Sequence, residues 1–254
     1  MAETINNENQ KEKGKGQPFE SPPWSMVEGL MLLILFATIH AFFGRVFQTF
    51  EPLKSGRIPL ELAVSNTAVL IICFVFLWSR TRNWQTLIKN IGLQITPARE
   101  LARRSIKPIG IGLGALILWE ILQTNILQIL GRQARPQLVV RWLFMALQNK
   151  QHTHMALFCF SAVVLAPIVE ELIFRGFLYL PARRRYGTFR AAALISLIFA
   201  GVHAYPAGLA HLFILAMVLT WVFEASGSLA MAIFLHMLHN GVMLAAFFLY
   251  AYFH

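Results

Sequence analysis

The chain contains no aspartate: all 12 of its acidic residues are glutamate. That excludes aspartyl intramembrane proteases, kinase-type magnesium sites and EF-hands, each of which needs Asp at fixed positions. Charge is scarce as well. Only 13% of the 254 residues are Asp, Glu, Lys or Arg, roughly half the share found in soluble domains, while 57% are hydrophobic. Such a chain cannot clothe a water-facing surface. Cysteine is limited to Cys73 and Cys159, each inside an apolar run and without CxxC spacing, which excludes a disulfide framework and a thiolate zinc site. The 22 Lys and Arg leave a net charge of +10. They lie in short loops between apolar runs, a pattern that sets membrane topology rather than binding nucleic acid. Membrane lipids are the expected surface partner.

What is present is a series of long apolar runs. Residues 1–23 are polar, rich in Asn, Gln, Lys and Glu, and end in Pro22-Pro23; they are expected to form a disordered tail. Seven runs of a length suited to a bilayer follow, at 26–44, 60–78, 108–130, 154–178, 189–205, 208–224 and 228–252, since a crossing helix needs about 20 residues. The expected fold is an all-α polytopic transmembrane helix bundle of about seven helices, six to eight within the boundary error. Residues 24–153 supply the N-terminal transmembrane helices and 154–254 a catalytic core. The stretch 84–107 carries Arg99, Arg103, Arg104 and Lys107 among apolar residues and suits a helix in the headgroup layer. Fourteen Lys and Arg fall in the tail and in alternate loops, seven on the opposite side, and Arg175 inside a helix completes the 22. The positive-inside rule then predicts a cytoplasmic N-terminus in an integral membrane protein, of the plasma membrane if the source is bacterial. Gly110, Gly112 and Gly114 predict a close-packing face on the third helix.

A charged residue at membrane depth costs about 2.5 kcal/mol or more, so each is a functional candidate. The densest set is Glu170, Glu171 and Arg175 on the fourth run. Residues 171 and 175 share a helix face, whereas 170 points about 100° away. Arg175 can therefore neutralise Glu171 and leave Glu170 to face another group. His203 lies on the fifth run, and His236 and Asn240 lie one turn apart on the seventh. A carboxylate, two imidazoles and an amide can surround one water: Glu170 takes its proton, His203 orients it, and His236 with Asn240 donate to a developing oxyanion. The same atoms leave a second scheme open, in which Glu170, His203 and His236 hold a divalent metal such as zinc with water in the fourth place.

These residues resemble the motifs of the CAAX prenyl protease and bacteriocin-processing (CPBP) intramembrane proteases, also called the abortive-infection family. Its Glu-Glu-x-x-x-Arg motif is matched by Glu170 to Arg175, its Phe-x-x-x-His motif by Phe199 to His203, and its His-x-x-x-Asn motif by His236 to Asn240. Order and spacing agree over roughly 154–245. The resemblance implies an intramembrane endopeptidase in which Glu170 activates water, with His203, His236 and Asn240 completing the site and Glu171 and Arg175 supporting it. It implies a peptide or membrane-protein substrate, with prenylated CAAX ends as the family's named class. The family is usually labelled metalloprotease; the absence of HExxH and the presence of Asn240 tilt the reading towards a metal-free water.

Two other function classes fit parts of the pattern. A proton-coupled transporter would use the Glu and His residues as a relay and would show inverted repeats, of which the sequence has none. A non-catalytic scaffold or immunity protein would keep the fold, but a retired site should have lost one of these residues. His239 lies near His236 on its helix face and is easily confused with it, His211 on the sixth run can line the same cavity, and Glu120, Glu28 and His40 are expected to pair with other helices. One mismatch remains in depth. At about 1.5 Å per residue, Glu170 and His236 fall about 12 Å from their cytoplasmic helix ends and His203 about 18–21 Å from its own. The three meet only if the fifth helix begins late, tilts or extends into the cytoplasm.

Overall fold

The computed structural model describes residues 19, 22–49, 57–93, 98–129 and 138–253; most of the stretch expected to be a tail lies outside them. The described residues are predominantly helical and include no strand. In chain order the helices are α1 (Met26–Thr49), α2 (Arg57–Thr81), the short α3 (Trp84–Asn90), α4 (Ala98–Ile129), α5 (Leu138–Gln148), the long α6 (His152–Tyr186), α7 (Thr188–Val202), α8 (Leu209–Ser226) and α9 (Leu229–Phe253). All seven apolar runs fall on helices. Six helices are long and apolar enough to cross a membrane; α7, with 15 residues, is not among them. The protein is an all-α polytopic bundle.

α6 is the axis of this bundle. Its stretch Leu172–Tyr179 is buried throughout, and α1, α2, α7 and α9 surround it. Lipid tails are as apolar as Leu, so helices in a bilayer associate through close packing and interhelical hydrogen bonds rather than through expulsion of water. Gly29 on α1 shows the first device. A Cβ there would lie 2.5 Å from the backbone oxygen of Phe177 and 3.0 Å from its carbon, so only glycine lets α1 approach the α6 backbone. Gly29→Ala is expected to cost about 1–3 kcal/mol, read as a lowered thermal midpoint in detergent. Trp24 and Phe76 close over the same Phe177 ring at 5.2 and 5.5 Å. Between α1 and α2, Glu28 pairs with Arg80, and His40 Nδ1 lies 3.0 Å from Ser65 Oγ.

The three glycines of α4 do not act as one face. Gly112 lies against Val218 of α8, where a Cβ would collide, whereas Gly110 and Gly114 face open space. Steps of two residues turn a helix by about 200°, so the middle glycine points away from the other two. The basic cluster Arg99, Arg103, Arg104 and Lys107, expected on a helix of its own in the headgroup layer, occupies the first turns of α4, which continues into the candidate span Arg99–Ile126. Glu100 pairs there with Arg103 and Arg104.

Phe19 corrects part of the tail expectation. It is buried and stacked on Phe223 at 4.3 Å, beside Gly92. Gly92 has a positive φ of 73° and accepts a 2.7 Å bond from the N–H of Leu229, the first residue of α9. The α8–α9 turn closes on Gly227, whose left-handed φ of 68° lets its N–H reach the Phe223 carbonyl.

The depth mismatch has a structural resolution. α6 does not end near 178 but continues to Tyr186, and Gly187, at φ 79°, turns the chain straight into α7. Tyr179 Oη and Arg183 both reach Glu224, near the end of α8. The α6–α7 tip therefore extends past the α8–α9 turn, and α7 starts beyond it. Its 15 residues rise only about 22 Å, short of the roughly 30 Å hydrocarbon core.

Candidate functional site

α6 changes its winding twice around the paired glutamates. The turns Ser161–Leu165 and Leu172–Tyr179 are π-helical and flank the regular segment Ala166–Glu171. Pro167 has no N–H to offer the carbonyl four residues back, and the wide turn just before it absorbs that missing bond. π-turns inside α-helices recur at functional sites. Here they isolate a six-residue platform that carries Glu170 and Glu171.

The two carboxylates differ in surroundings. Glu171 has no exposed side-chain surface, whereas Glu170 keeps 16%. Glu171 Oε1 accepts from Arg175 Nη1 at 2.9 Å and from His236 Nδ1 at 2.8 Å. Arg175, equally buried, donates through Nη2 to the Ala216 carbonyl of α8 at 2.8 Å and lies 5.3 Å from the centroid of the Phe199 ring. One side chain thus ties α6, α8 and α7 together at the site. Desolvating a guanidinium and a carboxylate is costly, and this pair recovers the cost only through the whole set of bonds. Glu171 Oε2 and Arg175 Nε make no hydrogen bond among the described residues.

His236 stands between the glutamates. Its Nδ1 donates to Glu171, and its Nε2 lies 3.8 Å from Glu170 Oε2, too far for a direct hydrogen bond and near enough for one water to touch both. His203 sits at the C-terminal cap of α7, exposed, with Nδ1 2.7 Å from the Phe199 carbonyl. A carbonyl only accepts, so Nδ1 carries the hydrogen of this bond. Phe199 links the two imidazoles: its ring centroid is 4.6 Å from His203 and 6.0 Å from His236, with the edge of Phe174 at 4.9 Å. Asn240, one turn beyond His236, donates through Nδ2 to the Ala162 carbonyl in the first π-turn at 2.9 Å.

Glu170, Glu171, Arg175 and His236 are therefore in one cluster, His203 joins it through Phe199, and Asn240 docks on the π-turn that precedes Glu170. The parts that sequence reasoning missed are aromatic and backbone: Phe174, the Phe199 ring as a bridge, and the Ala162 and Ala216 carbonyls. Phe174 and Phe199 stand inside the motifs and were legible there; the carbonyls carry no sequence signal.

Three other polar residues, the exposed Glu120 and the half-buried His211 and His239, form a separate chain. His211 of α8 lies 2.6 Å from Glu120 of α4 through Nδ1 and 3.1 Å from His239 of α9 through Nε2. The ring centroids of the two imidazoles are 5.2 Å apart, so they meet nearly end to end. The partner of His239 is thus His211 of α8.

Among the described residues, no group of three or more His, Cys, Asp or Glu side chains is gathered closely enough to hold a metal ion. Glu170, His203 and His236 are not gathered at metal-ligand distances.

Residues 152–242 match the family model described as Rce1-like, type II CAAX prenyl endopeptidase Rce1-like. The matched segment runs from the start of α6 into α9 and contains Glu170, Glu171, Arg175, His203, His236 and Asn240. No curated protein and no solved structure matches the chain.

Proposed function

We propose that this integral membrane protein, whose residues 152–242 match the Rce1-like family model, hydrolyses a peptide bond of a membrane-associated substrate with water activated by Glu170. The observation that carries the reading is the division of labour between adjacent carboxylates. Glu171 is consumed by Arg175 and His236, while Glu170, partly exposed, faces His236 Nε2 at 3.8 Å.

In the proposed sequence of steps, Glu170 takes a proton from the water while His203 Nε2 accepts the water's other hydrogen. The water oxygen bonds to the scissile carbonyl carbon and drives its electron pair onto the carbonyl oxygen. His236, held through Nδ1–H by Glu171, turns its Nε2 edge towards the oxyanion. Asn240 Nδ2 has a second hydrogen besides the one given to Ala162, and directs it to the same oxygen. Collapse breaks the C–N bond as Glu170 passes its proton to the leaving nitrogen. Arg175 and Glu171 are positioning residues: they fix the tautomer and orientation of His236.

The substrate class we favour is a prenylated protein with a CAAX-type end, the class named in the family description. The N-terminus is assigned to the cytoplasm, from the distribution of Lys and Arg. We route no step through a metal, since the donors are not gathered at metal-ligand distances. Cleavage of a farnesylated CAAX reporter in liposomes tests this choice. The expected rate is unchanged after treatment with a zinc chelator, with less than one equivalent of zinc on the active protein. Loss of activity on chelation and its return with added zinc would overturn the metal-free scheme while leaving the site residues in place.

A further inference from the structure

A cavity of about 470 Å³ opens at the end of the bundle where α1 begins, far from the paired glutamates. Its walls are Pro22, Pro23, Trp24, Ser25 and Met26 on one side and Pro181, Arg184 and Arg185 on the other. The first wall is a strap, residues 22–26, anchored by the buried Trp24. Phe19 is stacked on Phe223 under the Arg183 guanidinium, which lies 5.8 Å from the ring centroid, and Trp24 is buried against Phe177. The second wall is the tip of α6, more than ten residues beyond Glu170.

The charges around this cavity are unevenly paired. Arg183 turns inward to Glu224 at 2.6 Å. Glu28, the nearest carboxylate on α1, is held by Arg80 and by the Ser25 cap. Arg184 and Arg185 are exposed, and among the described residues neither has a carboxylate partner; Arg185 lies only beside the Tyr186 ring. The remaining wall is apolar and poor in donors, because Pro22, Pro23 and Pro181 have no N–H. The Trp24 indole N–H is buried with no acceptor among the described residues, an uncommon state for a Trp donor.

We infer that this cavity binds the phosphate of an anionic glycerophospholipid, with Arg184 and Arg185 on the phosphate oxygens and the proline, Trp24 and Met26 wall against the glycerol and first acyl carbons. Guanidinium forks match phosphate oxygens. The cavity opens where the candidate span Met26–Phe47 begins, at the depth of headgroups, where tryptophan is enriched. A free phosphate ion satisfies the arginines but leaves the apolar wall uncovered. The site is independent of the proteolytic reading and ties the strap to the α6 tip.

The test uses the full chain purified in a neutral detergent, with the thermal midpoint followed during titration by phosphatidylglycerol, phosphatidylcholine or inorganic phosphate. Phosphatidylglycerol is expected to raise the midpoint, and the other two to leave it unchanged. Each Arg near a lipid surface contributes enough that R184A/R185A should weaken the apparent affinity by about thirty-fold. The exposed basic pair on α4 provides the control: R103A/R104A should shift the affinity by less than about threefold. Pro23→Glu, which places a carboxylate beside the two arginines without removing them, should weaken binding as well. Equal affinity in wild type and R184A/R185A would overturn the proposal. So would an equal midpoint shift from phosphatidylcholine, or one reproduced by inorganic phosphate alone.

Discussion

Glu170→Gln is expected to lower the cleavage rate by about 10²–10⁴-fold and to leave the folded yield and thermal midpoint close to wild type. The amide keeps the size and polarity of the side chain and removes only its capacity to take a proton. Among the described residues Glu170 makes no hydrogen bond that the fold depends on: its neighbour His236 is 3.8 Å away and is held instead by Glu171. Loss of rate with retained fold is the signature of a group that acts on the reacting atoms. A comparable loss of fold would place Glu170 among the structural residues, and the assignment of roles to the two glutamates would then be reversed.

Glu171→Ala should do the opposite. It strips the counter-charge from Arg175, which is 1% exposed, and removes the acceptor of His236 Nδ1 at the same time. Removing one member of a buried pair costs about 3–5 kcal/mol. For a chain of this size that is a fall in thermal midpoint on the order of 10 °C, measured in detergent beside wild type. The double variant Glu171→Leu with Arg175→Leu separates packing from positioning. Apolar replacement of both partners restores part of the stability, yet His236 loses the acceptor that orients it. The double variant should therefore be folded and still slow, by at least tenfold. A double variant that is both stable and fully active would show that the pair serves the fold alone.

The site was legible in sequence where helical periodicity alone determines neighbours. Spacings of four residues put Glu171 with Arg175 and His236 with Asn240 on shared faces, and a single step of 100° separates Glu170 from Glu171. The seven apolar runs mark the helices for the same reason: a bilayer demands length and hydrophobicity in every segment that crosses it. What escaped was tertiary. The end of α6 looked like a loop because Pro181 and three arginines follow Leu180, yet the helix continues through them to Tyr186, with Pro181 in the first turn after the π-helical stretch. Phe19 sits in a polar stretch, so composition hid a residue that stacks on Phe223. The Glu120–His211–His239 chain joins residues from three helices that no local pattern connects. The π-turns around Glu170 depend on how Pro167 is accommodated between packed neighbours.

The π-turns also bear on how the site works. They let Asn240 reach the Ala162 carbonyl and keep the glutamate platform fixed between α8 and α9. Sites of this kind lose rate when their supports loosen by about 1 Å. Arg175, with bonds to α6 and α8 and its guanidinium over a ring of α7, is the support on which most of the geometry converges.

The central claim is that the Glu170 site hydrolyses a peptide bond near the C-terminus of a prenylated protein. It is tested most directly by mass spectrometry of a farnesylated CAAX reporter incubated in ¹⁸O-water with wild type and Glu170→Gln in liposomes. The account predicts release of the intact C-terminal tripeptide by wild type, one ¹⁸O in the new carboxylate of the prenylated fragment, and almost no product from the variant. Equal product from both proteins, or none from wild type, would contradict it.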